Sequence, residues 1–535
     1  MKKRSFLAIM MAGLLFASCD KTNEPNNSVG NGELETSYIA VSVNSVFDPA
    51  MRADDGTYDE GEGIEKEINS AHFFFFDAAG AKFTLNRENM VGAVCKDNYI
   101  IKDKTELGIA GANMNNVETV TNVMLTIQNN KGEYPAQMLV VLNWNYNEET
   151  GLNLNDLNKK LITEAQMKSD TDFLMSNSAY ARNSKVANAT PITMDNIGAT
   201  EAEAKAKPVE VYVERVAAKV TVNVKEGTTD NTFDTGETDA NGTKVYAQIV
   251  GWDINTTISH SYLVKDIDLT WDNTELGFTW NDEPWYRSYW AKSVPANGEV
   301  QYNKDFTWDA VMDDATGNNA AEPDYCLENT DANTHTRVVI ATKLVDESGN
   351  ELKIAQLYSQ YYTIEGIQNL VANSLKNEFY YQSTTNVNEY ISIEPSHITF
   401  VADVTEGANS YTVKYVLTDE ADDIQWYKYE NGAPVAIDAT VVNARLAELD
   451  RARIWNGMSY YTVDIAHLGG ASNLGVVRNH SYVITVEGIK GLGTPVYEGD
   501  LQVTEPVKPE ETKSFVAARI NVLSWRIVNQ NVTLQ

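Results

Sequence analysis

The sequence has few cysteines, few histidines and few basic residues. Its 535 residues include 3 cysteines and 6 histidines, and 42 lysines and arginines stand against 75 aspartates and glutamates, which gives a net charge of -33. This excess of negative charge disfavours nucleic acid and anionic membrane surfaces as partners, because both carry negative charge themselves. The histidines are scattered, and no zinc-type spacing of cysteine and histidine occurs. We therefore expect no metal site, no cofactor and no nucleic-acid partner.

Sequence motifs of enzymes are also missing. The chain has no glycine-rich phosphate loop, no nucleophile elbow and no His-Glu-x-x-His helix. The acidic stretch 230–241 lacks the spacing of an EF-hand, so we favour a solvated loop over a calcium site. The 10 tryptophans and 27 tyrosines could stack on sugars, but in a β-rich chain most of them belong to the core and to cross-strand pairs. We predict a protein without catalytic residues.

The first residues have the pattern of a secretory signal that ends at a lipidated cysteine. Lys2, Lys3 and Arg4 precede the apolar run 5–17, which is too short to span a bilayer as a stable helix. Small residues come directly before Cys19. We predict cleavage before Cys19 and lipidation of this residue, and no later segment approaches the length of a membrane-spanning helix.

The two remaining cysteines are Cys95 and Cys326. In an oxidising compartment they could form one disulfide, and the alternative is two buried free thiols. Their positions in the sequence do not decide between these states, because pairing depends on the distance between them in the fold.

A lone strand and a single arginine follow the signal. Residues 20–36 are rich in Asn, Glu, Gly and Pro, which is typical of a solvated tether, and residues 37–44 alternate apolar and polar as a half-buried strand does. In the acidic, glycine-rich loop that follows, Arg52 is the only basic residue between Lys21 and Lys66. Proteases cut exposed flexible loops. Taken alone, Arg52 fits either an ordinary surface residue or a processing site.

The rest of the chain is dominated by strand patterns. The run of phenylalanines at 73–76 predicts a strand that is covered on both faces. Residues 153–168 form the clearest helical stretch. The alternation over residues 209–224 changes phase at Glu214 and Arg215, which we interpret as a β-bulge.

These patterns divide the chain into segments with different roles. The segments are the signal 1–19, the tether and N-terminal strand 20–52, a β-rich domain 53–225, a linker 226–243, a second β-rich domain 244–505, and a linker with a C-terminal strand 506–535. Near the end, Ile520 and Val522 alternate, and then Leu523, Trp525 and Ile527 alternate in the opposite phase. This phase change predicts a bend between two strand segments.

Short motifs along nearly the full chain resemble those of Bacteroidales fimbrillins, and in particular the structural subunits of the short, Mfa-type fimbriae of Porphyromonas. The motifs are the signal that ends at Cys19 and the segments 38–43, 52–53, 75–80, 140–143, 173–177, 213–220, 262–265, 287–290, 325–330, 477–482 and 520–527, together with Trp252. Each motif is short, but they occur in order, and the combination is specific.

The resemblance implies a mainly β fold with two transthyretin-like β-sandwich domains, a few short helices and a C-terminal donor strand. It also implies assembly by strand exchange. A lipidated precursor reaches the outer membrane, an arginine-specific protease cuts between Arg52 and Ala53, and the strand that carries Ile39, Val41 and Val43 is released. The C-terminal strand of another subunit then takes its place. The residues assigned to this donor strand are Leu523, Trp525, Ile527, Val532 and Leu534.

Head-to-tail donation of a strand does not close into a ring, so the expected product is an extracellular filament. Its partners are copies of this chain and other fimbrial subunits, and a fimbria of this kind supports adhesion to a host or bacterial ligand and biofilm formation. Two alternatives remain open. An accessory subunit would be either an anchor that keeps its lipid and lacks the arginine site, or a tip with an extra binding domain. A glycan-binding surface lipoprotein would be a lipidated monomer with aromatic side chains in a cleft.

Overall fold

The computed structural model describes residues 35–45, 61–85, 94–107, 121–129, 133–182, 185–269, 290–294, 307–313, 322–403, 412–467, 473–498, 515–523 and 528–531. The predicted signal with Cys19, the cut site at Arg52 and Ala53, and most of the donor-strand residues lie outside these ranges. The donor-strand residues concerned are Trp525, Ile527, Val532 and Leu534.

The described chain consists mainly of strands. The first half contains β1 (Glu35–Ser45), β2 (Ser70–Phe76), β3 (Val94–Lys96), β4 (Tyr99–Asp103), β5 (Thr121–Asn129), β6 (Gln137–Leu142), β7 (Leu161–Thr163), β8 (Met175–Asn177), β9 (Tyr180–Arg182), β10 (Lys185–Ala187), β11 (Thr190–Pro191), β12 (Ile197–Gly198) and β13 (Val209–Arg215). The second half contains β14 (Ala217–Val224), β15 (Thr232–Thr238), β16 (Lys244–Asn255), β17 (His260–Tyr262), β18 (Asp324–Leu327), β19 (Arg337–Val345), β20 (Ile354–Leu357), β21 (Gln360–Thr363), β22 (Tyr380–Gln382), β23 (Tyr390–Ser392), β24 (Ile398–Ala402), β25 (Thr412–Leu417), β26 (Trp426–Glu430), β27 (Ala433–Ile437), β28 (Ala452–Trp455), β29 (Met458–Asp464), β30 (Ser481–Lys490), β31 (Thr494–Val496), β32 (Phe515–Leu523) and β33 (Val528–Asn531).

The helices are short. They are α1 (Leu154–Asn158), α2 (Glu164–Met167), α3 (Glu201–Ala206), α4 (Trp308–Asp313), α5 (Ile364–Ser374), α6 (Asp419–Asp422) and α7 (Ala439–Ala447), with single 3₁₀ turns at Gly63–Lys66, Met194–Asn196, Thr229–Asn231 and Pro395–His397. None of the helices in the described ranges is long and apolar enough to cross a membrane. The mainly β fold with few helices is as predicted.

The first sheet has the strand order β12-β1-β13-β8-β6-β2-β4-β3, with β5 paired to β1 and β11 paired to β6. The four phenylalanines of β2 are fully buried, as the sequence predicts. Phe73 and Phe75 pack on one side of the sheet in a cluster with Ile39 and Val41. The other two phenylalanines pack on the opposite side, in a cluster that reaches Leu327 of the second half. Both faces of the strand are therefore covered, which explains why it is apolar at every position.

The helix predicted over residues 153–168 is wrong in its central part. α1 and α2 are single turns, and β7 lies between them and pairs antiparallel with β17. Ile162 is fully buried in the same cluster as Leu157 and Met167. Pairing with a distant strand overrides the local helical pattern here, because tertiary packing decides the conformation of short segments.

Two further sheets form a sandwich in the other half of the chain. One sheet has the order β18-β14-β30-β32-β33, and the other has the order β15-β16-β19-β29-β31. The core of the sandwich contains Val220, Trp252, Ile340 and Tyr482. β14, which the sequence assigned to the first domain, pairs with β30 in parallel and with β18 in antiparallel orientation.

The chain therefore passes from the first sheet to the sandwich at Val216, between β13 and β14. This passage corrects the β-bulge predicted at Glu214 and Arg215: the phase changes because the chain leaves one sheet and enters another. It also corrects the predicted linker 226–243, since β15 lies within it and pairs with β16.

The second domain predicted at 244–505 also contains an inserted unit that the sequence did not predict. The chain leaves the sandwich after β19 and returns at β29, and these two strands pair with each other. Residues 354–455 between them form two small sheets, ordered β21-β20-β28-β25-β24 and β23-β22-β26-β27, together with α5, α6 and α7. The unit has its own core, which includes Ile367, Phe379 and Trp426. We call residues 354–455 the inserted unit.

Neither of the two cysteines in the described ranges forms a disulfide. Cys95 is half-buried beside the core of the first sheet, and Cys326 is buried in the core of the sandwich. Burial raises the pKa of the Cys326 thiol well above its usual range, so this side chain stays protonated.

Candidate functional site

β1 is an interior strand of the first sheet. It pairs antiparallel with β5 from Glu35 to Val43 and parallel with β13 from Val41 to Ser45, and it meets β12 at Tyr38 and Ile39. Among the described strands, β5 has no other ladder partner. Removal of β1 would therefore leave β5 unpaired and would expose an edge of β13.

The side chains of β1 fill the core of the first sheet. Ile39 and Val41 have no exposed surface, and they pack with Val123, Leu125 and Val211. β1 thus contributes both backbone hydrogen bonds and apolar contacts. Release of the strand would open an apolar groove between β5 and β13, and an exposed groove with unpaired edges invites pairing with another strand.

The order of the chain separates β1 from all of its partners. β1 lies before Arg52, and β5, β12 and β13 all lie after it. A cut after Arg52 would leave β1 held only by non-covalent contacts. The strand predicted at 37–44 is present, and its release and the cut site remain predictions.

The segment that follows the predicted cut is fixed by a buried carboxylate, which the sequence did not single out. Glu65 lies in the 3₁₀ turn after residues 46–60 and has an exposed fraction of 2%. Its Oε1 accepts hydrogen bonds from Lys219 Nζ of β14 at 2.8 Å and from Tyr325 Oη of β18 at 2.6 Å. Arg215 of β13 donates to the backbone oxygen of Glu65. The segment after the cut is thus attached to the first sheet and to the sandwich.

A second set of buried charges joins the elements at the boundary between the two halves. Arg478 is fully buried, and its Nε donates to Glu328 Oε1 at 3.3 Å. The same guanidinium donates to Leu263 O at 2.9 Å and to Ser261 Oγ at 3.1 Å. These residues fall in or beside motifs 262–265, 325–330 and 477–482, to which the sequence analysis assigned no role. The available signal was a charged residue directly after apolar ones: Arg478 follows two valines, and Glu328 follows Cys326 and Leu327.

A buried ion pair continues this boundary on the first-sheet side. Lys265 Nζ lies 2.9 Å from Glu214 Oε2, and both side chains are almost fully buried. Because removing one partner of a buried pair leaves the other charge without compensation, such contacts resist separation of the two halves.

The C-terminal strands form a hairpin on the sandwich. β32 pairs antiparallel with β30 along its whole length, from Phe515 to Leu523, and β33 pairs with β32. Leu523, which the sequence assigned to the donor strand, lies opposite Ser481 at the end of β32. The structure therefore places Leu523 in a strand that is paired within its own domain.

The histidines lie in structural contacts. The imidazole of His335 and the guanidinium of Arg337 lie 3.0 Å and 2.8 Å from Asp464 Oδ1, and these two partners lower the pKa of the carboxyl group. Burial lowers the pKa of His72 to about 4, although its Nε2 lies 2.8 Å from Tyr146 O. Within the described ranges, no group of three or more His, Cys, Asp and Glu residues is placed to hold a metal ion.

Comparison with known proteins identifies the C-terminal segment. Residues 454–531 match the family model described as major fimbrial subunit protein type IV, fimbrillin, C-terminal. The match runs from β28 to β33 and includes the hairpin of β32 and β33. It confirms the predicted resemblance to fimbrillins over this segment. No curated protein matches the sequence.

Several solved structures are similar over most of the chain at low identity. A proposed cell adhesion protein from Parabacteroides distasonis has 13% identity and a TM-score of 0.37, and the match covers 93% of this chain and 98% of that one. The tip fimbrial protein Mfa3 from Porphyromonas gingivalis has 12% identity and a TM-score of 0.30, with 91% and 99% covered. A fimbrial assembly protein from Parabacteroides distasonis has 14% identity and a TM-score of 0.29, with 58% and 86% covered. Similarities with TM-scores this low do not establish a shared fold.

Proposed function

We propose that this chain, which matches the fimbrillin C-terminal family over residues 454–531, is a structural subunit of a cell-surface fimbria that polymerises by strand exchange. The observation that carries the proposal is the position of β1, an interior strand that precedes Arg52 while every one of its partners follows it. In this proposal the precursor is lipidated at Cys19 and attached to the outer membrane. An arginine-specific protease cuts between Arg52 and Ala53 and frees the strand.

The energetics of the groove support a replacement strand. Ile39 and Val41 are fully buried, and burial of each side chain stabilises by about 1.5–3 kcal/mol. Loss of β1 would therefore cost roughly 3–6 kcal/mol from these two side chains alone, in addition to the backbone hydrogen bonds to β5 and β13. An incoming strand restores both contributions, as in donor-strand complementation. It must run antiparallel to β5 and parallel to β13, as β1 does.

The C-terminal end of another subunit is the proposed donor. β32 is paired within its own domain, so the donated part follows Leu523 and includes Trp525, Ile527, Val532 and Leu534. In the precursor β33 lies at the outer edge of its sheet, where one side of the strand is bonded to β32. An edge strand leaves its sheet at a lower cost than an interior strand, because fewer hydrogen bonds break. Donation by each subunit to the next gives a filament.

A second candidate is an accessory or tip subunit, and the inserted unit favours it. Residues 354–455 have their own core and leave the sandwich between two neighbouring strands, so they add a separate surface to the subunit. A shaft subunit and a tip subunit differ in the use of the C-terminal strand: a shaft donates it, and a tip does not need to.

A reversible lock on β1 tests the proposal directly. Ala40 and Met124 are Cα partners in the β1–β5 ladder. A precursor that begins at Asp20 and carries Ala40→Cys, Met124→Cys and Cys95→Ser should form a disulfide between the two strands. After a cut at Arg52, we expect the oxidised variant to keep its N-terminal fragment and to stay monomeric. Addition of a reductant should release the fragment and start polymerisation.

The matched control is the Ala40→Cys, Cys95→Ser variant, in which Met124 is kept. It should polymerise after cleavage with or without reductant. Filaments that grow from the oxidised, locked subunit would refute strand exchange at this groove.

A further inference from the structure

Four tyrosines share one face of a small sheet in the inserted unit. Tyr380 of β22 and Tyr427 of β26 are direct neighbours across the two strands, and Tyr429 follows on the same side of β26. Tyr390 of β23 lies opposite Gln382, which is on the same side of β22 as Tyr380. We call Tyr380, Tyr390, Tyr427 and Tyr429 the tyrosine face.

The opposite side of this sheet packs on the core of the inserted unit. Tyr381 and Trp426 belong to the core cluster there. Lys428 alternates with the tyrosines of β26, and its Nζ lies 4.6 Å from the centroid of the buried ring of Phe379. Glu430 is on the same side of β26 as Lys428. Since β22, β23, β26 and β27 contain no other charged residue, these strands place no charged side chain on the tyrosine face.

The rings of the tyrosine face hold one another in edge-to-face contact. The ring centroids of Tyr380 and Tyr429 are 4.9 Å apart, those of Tyr390 and Tyr427 are 4.9 Å apart, and those of Tyr390 and Tyr429 are 6.1 Å apart. The interplanar angles of these pairs are 82°, 78° and 76°. Aromatic pairs favour this geometry. The face is thus ordered before any ligand arrives, and Tyr429 keeps 48% of its surface exposed.

The hydroxyl groups of this face remain available. No hydrogen bond joins any of the four to another residue in the described part of the chain. Tyrosines elsewhere in the molecule differ: Tyr381 Oη donates to Glu394 Oε2 at 2.8 Å, and Tyr461 Oη donates to Gly491 O at 2.9 Å. The tyrosine face therefore combines apolar rings with four open donor and acceptor groups.

We propose that the tyrosine face binds a neutral carbohydrate. The C–H face of a sugar ring packs on tyrosine rings, and its hydroxyl groups bond to phenolic hydroxyls and to the side-chain oxygen of Gln382. The charge of the molecule selects against other occupants. A chain with a net charge of -33 and no basic side chain on this face repels anionic glycans and nucleic acid. A basic peptide would need carboxylates at the contact, and the four strands place none there.

This site is separate from the groove of β1, so it can be tested independently of strand exchange. The test uses affinity electrophoresis of the precursor in gels that contain yeast mannan, dextran or galactan, with heparin as the anionic probe. We expect retardation by at least one neutral polysaccharide and none by heparin. Tyr427→Ala combined with Tyr429→Ala should weaken binding at least fivefold.

Two further variants separate binding from folding. Tyr358→Ala removes a tyrosine that is 78% exposed, lies in the same unit and is outside the tyrosine face, so it should bind as the unchanged protein does. Tyr429→Phe keeps the ring and removes only a hydroxyl group, and it should bind at an intermediate level with an unchanged melting curve. Absence of retardation by all three neutral polysaccharides, retardation by heparin alone, or undiminished binding by the double alanine variant would overturn the proposal. Polymerisation of the same variants, measured in parallel, should be unchanged.

Discussion

Lys219 Nζ lies 2.8 Å from Glu65 Oε1, and the two side chains are 13% and 3% exposed. Lys219 belongs to the sandwich, and Glu65 belongs to the segment that follows the predicted cut site. The pair therefore attaches the segment after the predicted cut site to the second half of the molecule. The contribution of this buried pair to stability can be compared with that of the exposed pair formed by Glu67 and Lys104.

We predict that Glu65→Gln destabilises the protein by about 3–5 kcal/mol, because it removes the buried carboxylate that lies 2.8 Å from the ammonium group of Lys219. Urea unfolding followed by tryptophan fluorescence gives the change. Glu67→Gln is the control: Glu67 pairs with Lys104 at 2.7 Å, but both side chains are about two-fifths exposed, at 41% and 42%. It should change stability by no more than about 1 kcal/mol. Equal effects of the two substitutions would contradict the anchoring role of Glu65.

Substitution in β1 should destabilise the precursor. Ile39→Ala is expected to cost about 2–5 kcal/mol, because Ile39 is fully buried and its truncation leaves a cavity in the first core. Urea unfolding of the uncut precursor measures this change. Val387→Ala, at a side chain that is 68% exposed, should stay within about 0.5 kcal/mol. If Ile39→Ala is as mild as the surface control, β1 does not contribute to the core as described.

His72 should make the fold sensitive to acid. Burial lowers the pKa of His72 to about 4, whereas the unfolded chain has a value near 6.5. Between these values the unfolded state binds more protons, so stability falls as the pH decreases from 6.5 towards 4. The contribution of this residue is a loss of about 2 kcal/mol at pH 5 relative to pH 8.

His72→Phe removes this titration and keeps a ring beside Phe74 and Trp144. The difference in unfolding free energy between pH 8 and pH 5 should therefore shrink by about 2 kcal/mol in the variant. An unchanged pH dependence would show that His72 is not buried as the neutral form.

The inserted unit should be dispensable for assembly. Trp426 is fully buried in the core of the unit, and its Nε1 donates to Ala421 O at 2.9 Å. Trp426→Ala should destabilise by about 3–5 kcal/mol. Because this core contains no residue of the β1 groove, the cleaved variant should still form filaments. Loss of filaments at a temperature where the first sheet remains folded would place part of the assembly interface in the inserted unit.

Local patterns predicted the parts of the fold that depend on neighbours in the sequence. The alternation of apolar and polar residues predicted β1. The uninterrupted run of phenylalanines predicted β2, which is buried on both faces. The prediction of a helix over residues 153–168 was wrong because β7, in the middle of this stretch, pairs with β17, which is distant in the sequence. The phase change at Glu214 was visible, but its cause was not, since a β-bulge and a passage between two sheets give the same pattern.

The candidate site shows the same limit. The alternation of Ile39 and Val41 predicted a half-buried strand, but only the topology shows that this strand lies between β5 and β13. The inserted unit was not predicted, because the pairing of β19 with β29 that defines its limits joins residues that are far apart in the sequence. Glu65 was one acid in an acidic segment, and its burial depends on Lys219 and Tyr325, which are distant in the sequence.

The most direct test of strand-exchange assembly is cleavage of the purified precursor that begins at Asp20 with an arginine-specific protease. Intact mass and electron microscopy follow the products. We predict loss of a fragment that ends at Arg52, followed by filaments. Arg52→Gln should stay uncut and monomeric. Deletion of residues 524–535 should allow cleavage but no filaments, because it removes the proposed donor strand while β32 stays paired with β30. A precursor that is cut at Arg52, releases β1 and remains monomeric would contradict the account.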